Sequence, residues 1–226
     1  MELPKNLPLQ AFRLSGESMS RNPNNVTAEE VQQFANSLNE EMGRFDKLTS
    51  IEIHNIPFQN YLYEYFGFEQ LCTPLEMETV YWDNAAPGRP TENIELLLNY
   101  LNDTDIRTAV ISNMPLSGEA LSNRINSLLP NNYFEFIIAS SEYVFKKPHK
   151  RIFEIAVRKA NLDFEDIWFC GDSIEFDIEG ARMSDIAPVW YKGAIDSDGV
   201  IPRCNCIEVA DWIELIDILG GAENGN

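Results

Sequence analysis

Residues 168–182 read WFCGDSIEFDIEGAR. An apolar run ends at Gly171-Asp172, and a second acid, Asp177, follows five residues later. A carboxylate at the end of a strand and another at the start of the next helix suit a hard divalent cation such as Mg2+. Asp172 would meet the ion directly or through water, and Asp177 would steady the site from the first helical turn. The same residues also serve a plain helix cap built on Asp172 and Ser173. The neighbouring strand ends therefore decide the reading.

Outward from this stretch, the chain after residue 84 alternates between two periods. TENIELLLNYLN, SGEALSNRINSLL, KRIFEIAVRKANL, FDIEGARMSD and DWIELIDILGG carry helical spacing. RTAVISN, FEFIIAS, DIWFCGD, APVWYK and NCIEVA are short, β-rich apolar runs. Strands that are apolar on both faces and separated by helices predict an α/β fold with a Rossmann-like parallel sheet. Such sheets place their sites at the C-terminal ends of the strands. After AVI stand Ser112 and Asn113, a hydroxyl and a backbone N–H that suit a phosphate oxygen. After IIAS comes SEYVFKKPHKRIF, where Lys147 precedes Pro148 just before a helix. A lysine there neutralises phosphate and carboxylate charge together. Each feature alone is weak, since Ser-Asn pairs cap helices and most lysines are solvated. The three occur in order, 35 and 25 residues apart, each at a strand end.

Before residue 84 the patterns are helical. VTAEEVQQFANSLNEEM opens on Thr27 with Glu30 three residues on, a capping box. IPFQNYLYEYFGF places Phe58, Leu62, Tyr65 and Phe66 at helical spacing and ends at Gly67; a stripe of this kind is usually core, and the alternative is a substrate-lining surface. The expected organisation is a helical region over residues 1–83, with a degenerate core strand near 9–14 as one option, and the α/β core over 84–226.

The net charge of −19 argues against a nucleic-acid binder, because phosphate backbones call for a basic surface. No apolar run is long enough for a transmembrane helix, and MELPKNLPLQAF lacks a signal-peptide profile. A cytoplasmic protein without membrane partners is expected. Cys72 and Cys170 read as reduced core thiols. RCNC, with Cys204 and Cys206, lacks the further ligands of a closed zinc site.

Ser112 after AVI, Lys147 before Pro148, and Gly-Asp, four residues, Asp together resemble the haloacid dehalogenase-like superfamily of phosphatases and related hydrolases. WDNAAPGRPTENIELLLNYL is similar to that family's link from a helical cap into the core. The resemblance covers about residues 80–216 and implies that residues 1–79 form a helical cap. It implies catalytic parts for Lys147 and Asp172, phosphate binding by Ser112, Asn113 and Lys147, and metal binding by Asp172 and Asp177. The substrate it implies is a small phosphate ester, and the cofactor is Mg2+.

In that family the attacking group is the first Asp of an Asp-x-Asp that ends a buried strand, and the second Asp is the acid–base. No such pair stands at a strand end here. Asp103 and Asp105 lie in the polar turn LNDTDIR before the Ser112 strand, and no apolar run leads into Asp46 of GRFDKLT. Two explanations stay open. QAFRLSGES is a degenerate version with Arg13 and Ser15 at the two acid positions, although Pro4 and Pro8 suit a central strand poorly. Alternatively, the strand lies upstream of Met1. In either case Mg2+ binding is expected to be weak or lost, because the family's metal is also held by the first pair. The expected function is a phosphohydrolase whose nucleophile is missing from this chain. The alternative is a non-catalytic binding or scaffold protein, and dehalogenation of a small acid ranks third.

Overall fold

The computed structural model describes residues 20–85, 88–194 and 201–223. Its helical part begins with α1 (Ala28–Thr49), opened by the expected box: Thr27 N–H donates to Glu30 Oε2 at 2.7 Å, and Glu30 N–H returns to Thr27 Oγ1. Helix α2 (Asn55–Phe66) is capped by His54, whose Nδ1 accepts from Ile56 N–H, and stops at Gly67 with φ 71°. Helix α3 (Pro74–Ala85) opens on a second capping box, Thr73 with Glu76. Two short strands, β1 (Ser20–Arg21) and β2 (Glu69–Gln70), pair antiparallel beside these helices. GRFDKLT, with Asp46, is the last part of α1 rather than a strand.

The aromatic stripe departs from expectation. Only Leu62 of its four members is buried. Tyr65 is 59% exposed and stacks on Phe34 with ring centres 4.0 Å apart. The helices bury Leu62, Val31 and Ala35 and leave the rings as a surface cluster.

The α/β part follows the predicted alternation. Helix α4 (Ile94–Asn102) precedes β3 (Val110–Ser112); α5 (Gly118–Leu128) leads to β4 (Ile137–Ala139), and α6 (Lys150–Ala160) to β5 (Trp168–Gly171). A wide π-type turn (Ile174–Glu179) runs into α7 (Gly180–Met183), followed by β6 (Ala187–Tyr191), β7 (Ile207–Val209) and α8 (Trp212–Glu223). Every pairing among β3–β7 is parallel. Ile111, Ile138 and Phe169 pack on one face against Ile152, Phe153 and Val157 of α6 and Ala181 of α7. Val189, Tyr191 and Val209 pack on Leu97 of α4 and on Trp212 and Leu215 of α8. The result is an α/β core with helices on both sides of a parallel sheet.

Among the described residues that sheet is in two pieces, β3 with β4 and β5-β6-β7. The registers show which edges have no strand partner among the described residues. Val110 N–H bonds Phe136 of β4, so Ile111 turns its own N–H and C=O away from β4. Ala187 N–H bonds Ile167 O, so Trp168 and Cys170 turn theirs away from β6. Both pieces share the α6–α7 layer, so these edges of β3 and β5 belong to one sheet.

Exposure agrees with this division. Trp168 is 41% exposed, on a strand with a partner on one side among the described residues. Cys72, expected as a core thiol, is only half-buried. The segment 9–14, with Arg13 and Ser15, lies outside the described residues.

The helical part is stitched to the loops that leave the strand ends. Asn55 N–H donates to Pro115 O, Glu52 N–H to Val144 O and Lys146 N–H to Ser50 O. Buried Glu78 of α3 accepts from Ser117 N–H and its hydroxyl, at the start of α5.

Candidate functional site

Four hydrogen-bonding groups join the ends of β3 and β5. Lys147 is buried, and its Nζ donates to Asp177 Oδ1 at 2.6 Å and to Ile111 O at 3.2 Å. The ammonium also lies 5.2 Å from the centre of the Phe169 ring, a cation–π distance. Asp177 Oδ2 accepts Ser173 N–H at 2.9 Å. Ile111, Lys147, Asp177 and Ser173 therefore form one chain from the residue before Ser112 to the residue after Asp172.

The local sequence explains the placement. Ser173 caps the turn after β5 by accepting from Phe176 N–H, which brings Asp177 back under Gly171. A Cβ on Gly171 would lie 2.4 Å from Asp177 Cγ, so only glycine lets the carboxylate pack there. Asn113 accepts Lys147 N–H at 2.8 Å and donates Nδ2 to Lys147 O at 2.9 Å. This two-bond clamp fixes the main chain of Lys147. Sequence reading gave Asn113 to phosphate and missed the clamp; an amide able to close such a ring with a backbone is a weak signal at 34 residues' separation.

Asp172 is half-buried, and its backbone carbonyl accepts Trp190 Nε1 at 3.2 Å. Its carboxylate has no recorded partner among the described residues. Ser112 Oγ is also uncommitted among them and half-buried. The site thus offers a fixed ammonium, a hydroxyl and one open carboxylate. Both histidines serve elsewhere, His54 capping α2 and His149 capping α6, so neither is a base for Ser112. Asp103 and Asp105 are exposed and precede the opposite, N-terminal end of β3. Burial pushes the Cys170 thiol up to about 12.

Mg2+ takes about six oxygens in an octahedron. No cluster of three acidic, histidine or cysteine side chains occurs among the described residues. Asp177 gives both oxygens to N–H donors and has the Lys147 ammonium against it. Asp172 remains as the one uncommitted carboxylate, which falls short of a Mg2+ site.

A family model for haloacid dehalogenase-like hydrolases matches residues 21–190, more than half of the chain. The chain belongs to that family. A glyceraldehyde 3-phosphate phosphatase of Pyrococcus abyssi is 36% identical over 62 residues, and one of Pyrococcus furiosus is 34% identical over the same length. Those matches cover 27% of this chain and 26% of each relative, so the chain spans about a quarter of the curated relatives it matches. Among solved structures, a 2-haloacid dehalogenase from Pseudomonas syringae pv. Tomato DC3000 aligns over 97% of this chain and 92% of its own, with TM-score 0.65 and 19% identity. A HAD phosphatase from Thermococcus onnurineus aligns over 95% and 88%, with TM-score 0.56 and 20% identity. These likenesses establish the haloacid dehalogenase-like fold. Among the described residues, no helix is long and apolar enough to cross a membrane.

Proposed function

We propose that this family member carries the phosphate-binding half of a phosphohydrolase site for a small phosphate ester, without a nucleophile of its own. The observation that carries the reading is Lys147, a buried ammonium fixed between the ends of β3 and β5 by Asp177, Ile111 O and the Asn113 clamp. A cation held there, at the strand ends where Ser112 and Asn113 also stand, suits a phosphate dianion. The relatives that are glyceraldehyde 3-phosphate phosphatases favour a phosphate ester over a haloacid. The helical region 20–85 is read as a cap, because its Ser50–Asn55 stretch bonds the loops at the strand ends.

Mg2+ binding belongs to this proposal only in part. Asp172 is its open ligand, and full affinity awaits carboxylates from outside the described residues. When bound, such an ion would supply electrostatic stabilisation of a phosphoryl group. The second reading, a non-catalytic binding protein, shares the same phosphate site and differs only in whether a nucleophile is ever supplied.

Inorganic phosphate titrated against labelled protein tests the reading. The amide signals of Ser112 and Asn113 should shift and saturate, and Lys147→Met should abolish the shift. Unchanged signals at both amides would overturn it.

A further inference from the structure

We infer that Glu52 is a positioning residue for Lys147, holding both the strained turn that leads into that lysine and the strand end that clamps it. The inference concerns where Lys147 stands and rests on hydrogen bonds; only the phosphate arm of its test rests on the proposed function.

The strain lies at Val144. Its φ is 68°, a left-handed value that a β-branched residue adopts only at a cost. Phe145 N–H donates to Tyr143 O at 2.7 Å across it. Such a bond about a residue of positive φ is the rare, strained form of the γ-turn. The Val144 side chain is 56% exposed, so packing offsets little of the cost. The link between α1 and α2 holds the turn in place. Glu52 N–H donates to Val144 O at 2.7 Å, Lys146 N–H donates to Ser50 O at 2.9 Å, and Ile51 pairs with Phe145 between them. Lys147 is the next residue along the chain.

The Glu52 side chain anchors that link from below. Its Oε2 accepts the Ser140 hydroxyl at 2.8 Å. Ser140 is fully buried just after β4, and its Oγ accepts Met114 N–H at 2.9 Å. Giving its one proton to Glu52 leaves the Ser140 oxygen to accept from Met114. Met114 follows Asn113, whose amide brackets the main chain of Lys147. Glu52 therefore acts on Lys147 by two routes, through Val144 with its main chain and through Ser140, Met114 and Asn113 with its carboxylate.

The test is amide hydrogen exchange by NMR on the full chain. In Glu52→Ala the Lys147 and Met114 amides should exchange roughly 10–100-fold faster, as for loss of one hydrogen bond to a charged group. Ala187 and Leu121, bonded to Ile167 O and Ser117 O elsewhere in the core, should keep the parent rate. Glu52→Gln retains an oxygen for Ser140 and should restore near-parent rates. Glycine takes a positive φ without the cost. Adding Val144→Gly to Glu52→Ala should therefore slow the Lys147 amide again and leave Met114 fast. Val144→Gly alone should slow Lys147 below the parent, a reading that stands whether or not Glu52→Ala folds.

Unchanged Lys147 and Met114 amides in Glu52→Ala overturn the inference. Equal acceleration at Ala187 and Leu121 also overturns it, because that marks a loss of overall stability. So does a Lys147 amide that Val144→Gly fails to slow. Titrated inorganic phosphate supplies the second arm: the midpoint of the Asn113 amide shift should rise about tenfold in Glu52→Ala and recover in Glu52→Gln. A parent chain that shows the exchange pattern and binds no phosphate would sink the proposed function and leave the positioning intact.

Discussion

Lys147 and Asp177 meet at 2.6 Å inside the protein, with side chains only 11% and 5% exposed. The two residues come from different sheet pieces' loops, and each has one further hydrogen bond, to Ile111 O and from Ser173 N–H. Burying two charges costs several kcal/mol per ion, and good geometry with extra hydrogen bonds offsets that. The pair therefore serves as a strut between the ends of β3 and β5, and it fixes the ammonium at the proposed phosphate site.

Removing one partner should leave an uncompensated buried charge. Lys147→Met and Asp177→Asn are each expected to lose about 3–5 kcal/mol in urea unfolding. The double variant should cost clearly less than their sum, because the residues are in contact. Asp172→Asn should stay within about 0.5 kcal/mol of the parent, since its carboxylate has no recorded partner among the described residues.

Gly171→Ala tests the packing beneath the strut. Its Cβ would fall 2.4 Å from Asp177 Cγ, so the carboxylate must move. The expected loss is about 1–3 kcal/mol, as for overpacking generally. Phosphate-induced shifts at Ser112 should weaken in the same variant. Full stability in urea would show that Asp177 moves freely, contrary to its two fixed hydrogen bonds.

Much of the core was legible because strand and helix periods are written in apolar residues that face a shared interior. The runs AVIS, FIIAS, WFCG, APVWY and IEVA all became strands or their ends, in parallel. The missed features follow from weaker signals. Helix α3 announces itself by Thr73-Pro74 with Glu76, a box with Pro at the first helical position, but few of its apolar residues recur at even spacing. The stripe on α2 was read as core because helical spacing marks a face without saying what covers it. The hydrogen bonds of Asp177 to Lys147 and Ser173 were not legible either, because they are long-range and local choices that spacing cannot distinguish.

The two capping boxes should respond to acid. Glu30 and Glu76 are held below the ordinary carboxylate range, chiefly by the backbone N–H of Thr27 and Thr73 and then by their hydroxyls. A depressed folded-state value gives stability that is present above the unfolded value, about 4.3, and lost as pH falls through the folded one. Circular dichroism should show Glu30→Gln and Glu76→Gln flattening the helical loss below about pH 4 relative to the parent. Parallel acid profiles for parent and variants would contradict the box geometry.

Cys170 should alkylate slowly at neutral pH. Burial raises its thiol to about 12, and the thiolate is the reactive form. Its rate, read by mass spectrometry, should climb as pH rises toward that value. A rate at pH 8 equal to that of a free thiol would contradict that burial.

The central claim is that this chain holds the binding half of a phosphohydrolase site and lacks the attacking half. The most direct measurement is hydrolysis of an aryl phosphate by the purified chain with Mg2+. Loss of acid–base catalysis alone is typically worth ~10²–10⁴-fold, and loss of the nucleophile adds to it. The account predicts a rate indistinguishable from buffer for both the parent and Asp172→Asn. Robust Mg2+-dependent turnover by the parent that disappears in Asp172→Asn would contradict it, and would show that the chain supplies a nucleophile after all.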